Sequence, residues 1–146
     1  FVSMCEAALD YGIALKSISA YRTYNYQNTL YNNRVQRCVN EGYSREEAKQ
    51  VAATIVAIPG TSEHQTGLAC DITDEYYELK NEGLENTALY QWMSRHCQEY
   101  GFIVRFPKGK EDVTGIIYEP WHYRFVGREA AMEMYENNLC LEEYLK

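Results

Sequence analysis

Apolar side chains recur along this chain at two periods, and the change from one to the other sketches the architecture. Over residues 2–14, Val2, Cys5, Leu9 and Ile13 fall near helical spacing with Gly12 close to the end, which predicts an amphipathic helix. Residues 18–21 predict a short strand leading into Arg22 and Thr23. A second helix is expected from about Asn25 to Glu41, with Leu30, Tyr31, Val35, Cys38 and Val39 on one side and Gly42 as its stop. Ser44-Arg45-Glu46-Glu47 reads as a capping box, Ser44 accepting from the Glu47 amide while Glu47 reaches back to the amide of Ser44. The helix it opens runs to about Val56, before Pro59-Gly60. The small, polar stretch that follows, up to Gly67, is expected to be loop.

Residues 68–73 return to a buried-strand pattern, with Asp71 and Ala69 on one face and Leu68, Cys70 and Ile72 on the other. Residues 74–86 are polar and expected to be irregular. Leu89, Trp92, Met93, His96, Cys97 and Tyr100 form the clearest helical stripe, closed by Gly101. A strand over 102–106, a turn over 107–110, a charged loop, a second strand near 116–118 and an extended segment over 122–126 follow. Helices near 128–136 and 141–145 close the chain. The first half is rich in helices and the second in closely spaced strands. The expected fold is therefore α+β, with a small antiparallel sheet flanked by helices, rather than a doubly wound one.

A length of 146 residues suits one domain, able to bury roughly two-thirds of its unfolded surface. We expect residues 1–146 to form a single catalytic domain, excised from a longer exported protein, because the chain opens on Phe1 without a signal peptide. The net charge of −7 offers no basic stripe for phosphates, which argues against a nucleic-acid partner. No apolar run approaches the ~18 residues that a membrane span needs. Fourteen tyrosines are an excess, and their apolar bodies with polar tips suit a cleft that grips polar substrates as well as half-buried packing. The five cysteines form no CxxC pair, so a structural zinc finger is not indicated, while one or two disulfides remain open. We read the chain as a monomer.

Candidate chemistry concentrates in two places. His64 and Asp71 stand seven residues apart, one in the expected loop and one in the apolar strand. Glu119-Pro120-Trp121-His122 follows about fifty residues on. Catalytic zinc takes three His, Asp or Glu ligands and leaves a position open for water, and His64, Asp71 and His122 meet that requirement. Glu119 is the candidate base for the activated water. In a regular strand Glu119 and His122 would face opposite sides, but Pro120 marks a bend that can aim both into one site. There is no HExxH, which excludes the helical zinc-protease arrangement. Gly67 is suited to a tight turn between His64 and the strand. The bland alternatives are a surface-polar His64, an Asp71 paired with Arg22 or Arg124, and a satisfied core His122. His96, on the apolar stripe, is assigned to packing or a hydrogen bond, and Cys70 to packing.

Ser62-x-His64-x-x-Gly67-x-Ala69-x-Asp71, followed by Glu119-Pro120-Trp121-His122-x-Arg124, strongly resembles the VanY-type D-alanyl-D-alanine carboxypeptidases. These belong to a wider group of zinc peptidases with the hedgehog-like fold. Ser19-Ala20-Tyr21-Arg22-Thr23-Tyr24-x-x-Gln27 is similar to a further element of the family, with Ala20 in place of the usual Gly and Thr23 in place of Ser. The family's segment before the first helix is not matched here. The resemblance implies His64, Asp71 and His122 as Zn2+ ligands, Glu119 as general base, and Arg22 beside the scissile carbonyl. It also implies Ser62, Gln27 and Trp121 as residues that bind substrate, a peptidoglycan stem peptide ending in D-Ala-D-Ala. The implied activity is a zinc-dependent D,D-carboxypeptidase in the cell envelope. Alternatives left open are an L,D-carboxypeptidase or D,D-dipeptidase of the same family, and a non-catalytic cell-wall binding module. A hedgehog-like signalling domain fits the substrate motifs poorly.

Overall fold

The computed structural model describes every residue of the chain except Glu78. Its frame is a four-stranded sheet of β1 (Lys16–Ser19), β2 (Ala69–Thr73), β3 (Phe102–Val104) and β4 (His122–Phe125), in the order β1-β2-β4-β3. Every pairing is antiparallel. Among the described residues seven α-helices accompany it: α1 (Val2–Leu9), α2 (Tyr24–Asn40), α3 (Arg45–Ala53), α4 (Ala88–His96), α5 (Glu111–Thr114), α6 (Arg128–Glu136) and α7 (Leu141–Tyr144). The expected mixture of helices around a small antiparallel sheet is what the chain forms.

The two faces of the sheet do different work. Cys70 and Ile72 of β2, Tyr123 of β4 and Phe102 of β3 point into the main core with Met4, Ala8, Leu84, Leu89, Trp92 and Met93. Each large apolar side chain buried there stabilises the fold by ~1.5–3 kcal/mol. The register pairs Asp71 with His122 and Ala69 with Arg124, so these four residues share the opposite face. Against that face stands a hairpin of α2 and α3, joined through Val35, Cys38, Ala48 and Ala52. The cleft lies between the hairpin and the sheet.

Several local expectations hold. Both halves of the Ser44–Glu47 capping box are present. Asp71 sits opposite the Cys70 and Ile72 face, and Gly101, at φ +82°, closes the helical stripe. The helix Arg128–Glu136 has the expected bounds.

Others are corrected. The first helix stops at Leu9, and Gly12 takes φ +72°. Its buried residues are Met4 and Ala8, whereas Val2 is 69% and Leu9 58% exposed. Met4 and Ala8 satisfy the i, i+4 rule as well as the expected stripe does, and packing on Trp92 and Phe102 chose between the two faces. The first strand begins two residues earlier than expected and carries a bulge between Ser17 and Ser19. The third helix ends at Ala53. Leu68 lies outside β2 and is exposed. The charged loop contains the single turn α5, and residues 116–118 form no strand. There the amides of Ile117 and Glu119 donate to the carbonyls of Thr54 and Phe106, contacts from two different elements that a β-ladder could not satisfy together. All five cysteines are free, so no disulfide forms among the described residues.

Candidate active site

Three segments deliver the predicted ligands to one point. His64 rides on a 3-10 turn, Glu63–Thr66, that Gly67 closes at φ +75°, a left-handed conformation suited to glycine. The Arg22 amide donates to the His64 carbonyl at 3.1 Å, which fixes the turn to the start of α2. Asp71 sits mid-strand in β2, 1% exposed. His122 opens β4 directly across from it. Before His122 the chain bends at Pro120, and the His122 amide reaches back to the Glu119 carbonyl at 3.2 Å. The bend brings Glu119 Oε2 to 3.7 Å from His122 Nδ1.

The hydrogen-bond partners decide which atom of each side chain is free. His64 Nδ1 faces the Ala20 carbonyl at 2.7 Å and must donate to it, which leaves the lone pair on Nε2. His122 Nε2 faces Glu63 Oε2 at 3.5 Å, which leaves Nδ1 facing inward. Asp71 Oδ2 accepts from Arg22 at 2.9 Å and from Lys80. Its Oδ1 is buried with no hydrogen-bond partner, 3.3 Å from His64 Nε2 and 3.2 Å from His122 Nδ1. The three candidate ligand atoms lie within 4.8 Å of one another. Three lone pairs converging on a point with no donor aimed at it is an unfavourable arrangement unless a cation or a proton sits among them. Two imidazole nitrogens and a carboxylate oxygen are a donor set that zinc accepts, so the residues fit the metal. The free ring nitrogens and the held ones also match the pattern by which acceptors orient metal-bound histidines.

The electrostatics agree. Burial would raise the Asp71 carboxyl, but the adjacent rings of His122 and His64 and the charge of Lys80 hold it well below the usual range. Burial would lower His122, yet Asp71 and Glu63 win and push it up to about 9. Glu119 is 8% exposed, and burial, aided by Asp71 and opposed by His122, pushes it up to about 7.

Around this point runs a cleft of about 610 Å³. Arg22, Ser62, Glu119 and Trp121 line it. Trp121 also belongs to the main core. Arg22 is fixed from three sides: Nε donates to Ser19 Oγ, Nη1 to Gln27 Oε1 and Nη2 to Asp71. Of its five N–H groups, two remain beyond those three bonds. Gln27 is fully buried, donates to the Ala57 carbonyl at 2.8 Å, and stands behind Arg22 rather than in the cleft wall. Among the described residues no tyrosine lines the cleft. His96 stacks on Trp92 and pairs with Glu99, as its place on the stripe suggested.

Sequence reasoning missed three residues of the site. Lys80 comes from the polar stretch 74–86 and reaches Asp71. Glu63 lies beside a ligand and engages His122, Arg105 and Arg124. Arg105 ends an apolar strand pattern and is 7% exposed. The only signal for Arg105 was a charge in an apolar run, and Glu63 and Lys80 had none.

Comparison with known proteins points to one family. Residues 1–128 match the family model for the VanY D-alanyl-D-alanine carboxypeptidases. A D-alanyl-D-alanine carboxypeptidase of Enterococcus faecalis (strain ATCC 700802 / V583) is 43% identical over 141 residues, covering 96% of this chain and 50% of the relative. The chain thus spans about half the length of the curated relatives it matches. Among solved structures, VanYB in complex with D-alanine-D-alanine superposes with a TM-score of 0.88 at 40% identity, covering 98% of this chain and 76% of that one. A vancomycin-resistance D,D-pentapeptidase VanY variant in complex with Zn(II) gives 0.87 at 40% identity, over 99% and 78%. The LD-carboxypeptidase LdcB gives 0.85 at 41% identity, over 98% and 63%. Sequence motifs, fold and these likenesses converge: the chain belongs to the VanY D-alanyl-D-alanine carboxypeptidase family.

Proposed function

We propose that this chain is a zinc-dependent D,D-carboxypeptidase that removes the terminal D-Ala from peptidoglycan stem peptides. The observation that carries the reading is the convergence of two imidazole nitrogens and a carboxylate oxygen, all within 4.8 Å of one another, beside a buried carboxyl, Glu119, within one cleft. His64, Asp71 and His122 would hold the metal. Zinc bound there supplies Lewis acidity and draws the pKa of water toward neutrality. Glu119 takes a proton from the attacking water and returns it to the leaving amine, a task that suits a carboxyl whose pKa stands near the working pH. Arg22, with two N–H groups to spare, opposes the negative charge that develops on the scissile carbonyl oxygen. Ser62 and Trp121 border the leaving residue, and Gln27 acts by holding Arg22 in place.

We place this reaction outside the cytoplasmic membrane, where the substrate is found, and treat residues 1–146 as a single catalytic domain acting as a monomer. No helix among the described residues is long and apolar enough to cross a membrane.

The test is direct. Glu119→Ala retains zinc and lowers kcat by roughly 10²–10⁴, whereas His64→Ala loses the metal. Full activity of Glu119→Ala on a pentapeptide ending in D-Ala-D-Ala refutes the mechanism. The likeness to LdcB favours a second reading, an L,D-carboxypeptidase. Product analysis with tetrapeptide and pentapeptide stems separates the two.

A further inference from the structure

Beyond the ligands, one chain of contacts runs from the C-terminal helix into the site. Glu142 of α7 receives both arms of Arg105: Nη1 donates to Oε2 at 2.9 Å and Nη2 to Oε1 at 2.6 Å. The remaining edge of the guanidinium, Nε, donates to Glu63 Oε1 at 2.7 Å. Arg124 Nη1 reaches the same oxygen at 3.2 Å. Glu63 Oε2 is left buried with no hydrogen-bond partner, and so is His122 Nε2. They face each other at 3.5 Å. That is long for a hydrogen bond, but among the described residues neither atom is offered a hydrogen-bond partner.

A salt-bridge network that served packing alone would satisfy both oxygens of a carboxylate this buried. Here one oxygen is saturated by two arginines and the other is held back for a histidine ring. Arg105, itself 7% exposed, has a planar fork whose edges serve Glu142 and Glu63 at once, a geometry that lysine does not offer. The helix that supplies Glu142 is pinned independently by Lys110, which pairs with Glu143 at 2.9 Å.

From these contacts we propose that Glu63 is the positioning residue for His122, and that Glu142, through Arg105, holds Glu63 in place. The helix α7 is then a working part of the metal centre, although the family match ends at residue 128. The proposal rests on the reading of His122 as a metal ligand. A carboxylate on the outer nitrogen keeps the proton there, turns the Nδ1 lone pair inward and raises its basicity.

The test uses the whole chain and measures Zn2+ affinity by chelator competition, with the visible spectrum of the Co2+-loaded protein as a second readout. E63Q should raise the zinc Kd about 10–100-fold and shift the Co2+ bands, in a metal-free protein that still folds. E142Q should raise Kd by a smaller factor, and the double variant should fall short of the product of the two single effects, because both act through one path. If E142Q fails to fold, R105K takes its place and must also weaken zinc binding. The proposal is overturned if E142Q binds zinc within about twofold of wild type, or if the two effects multiply independently. A wild-type protein that binds no zinc, or H64A that binds it undiminished, would instead refute the underlying metal-site reading.

Discussion

At the scale of single residues, the free atom on each side chain matters more than the side chain's identity. His64 and His122 present different ring nitrogens to the site, because a backbone carbonyl holds one and a carboxylate the other. Asp71 divides its two oxygens in the same way, Oδ2 to Arg22 and Lys80 and Oδ1 to the centre. The bland expectation that Asp71 pairs with Arg22 is therefore met without displacing the metal reading, since the pair uses only one oxygen. A consequence follows for pH. The bonds that overcome burial push His122 up to about 9, so below that pH the metal-free site carries a proton on this ring. A cation must displace that proton. Zinc affinity should therefore rise with pH, by up to about tenfold per unit, and level off above pH 9. At pH 8, calorimetry in buffers of different ionisation heat should show release of about one proton per zinc. Binding without proton release at pH 8 would contradict the assignment.

At the scale of elements, turns place the ligands. Gly67 and Pro120 redirect the chain on either side of the site, and both were legible because glycine and proline have few alternative uses in such positions. Gly101 shows the same logic in the core. It turns the chain from the 3-10 segment after α4 into β3 at φ +82°, and a Cβ there would lie 2.7 Å from Phe125 and 3.1 Å from the Arg128 amide nitrogen. Gly101→Ala should cost about 2–4 kcal/mol from left-handed strain and overpacking. Chemical denaturation would check this, and a loss under about 0.5 kcal/mol would show that the turn relaxes. Element bounds were less legible than turns. The expected strand at 116–118 fails because the Ile117 amide is claimed by the Thr54 carbonyl and the next one along that side, that of Glu119, by the Phe106 carbonyl. A three-residue apolar run cannot announce partners that come from elsewhere in the chain.

For the whole molecule, the metal would tie together a turn, β2 and β4, elements separated in sequence and joined only by the fold. The metal should stabilise the protein globally. Free zinc at about 100 times its Kd adds ~2.7 kcal/mol, so chelation should lower the melting temperature and zinc should restore it. His64→Ala should be insensitive to chelator by the same assay. The charge distribution also belongs to this scale. A chain of net charge −7 lines its cleft with five cations, Arg22, Arg34, Arg37, Lys80 and Arg105, against three carboxylates, Glu63, Asp71 and Glu119. An acidic protein with a basic-walled cleft favours anionic ligands there while its outer surface repels them. Composition alone argued against phosphate-rich partners and said nothing about this local reversal.

The sequence by itself determined the class of fold and pointed to the candidate ligands and the candidate base. Hydrophobic period, capping residues, glycines and prolines act over a few neighbouring residues, and the motif spacings lie directly in the chain. Only the tertiary structure decided which face of α1 is buried, which nitrogen of each histidine is free, that Lys80, Glu63 and Arg105 stand at the site, and that Glu142 pairs with Arg105 behind it. Arg105 meets Glu63 across 42 residues and Glu142 across 37, separations that no local pattern encodes. Strand register and helix docking fix those meetings, and a polar residue in a loop carries no mark of the buried charge it will satisfy.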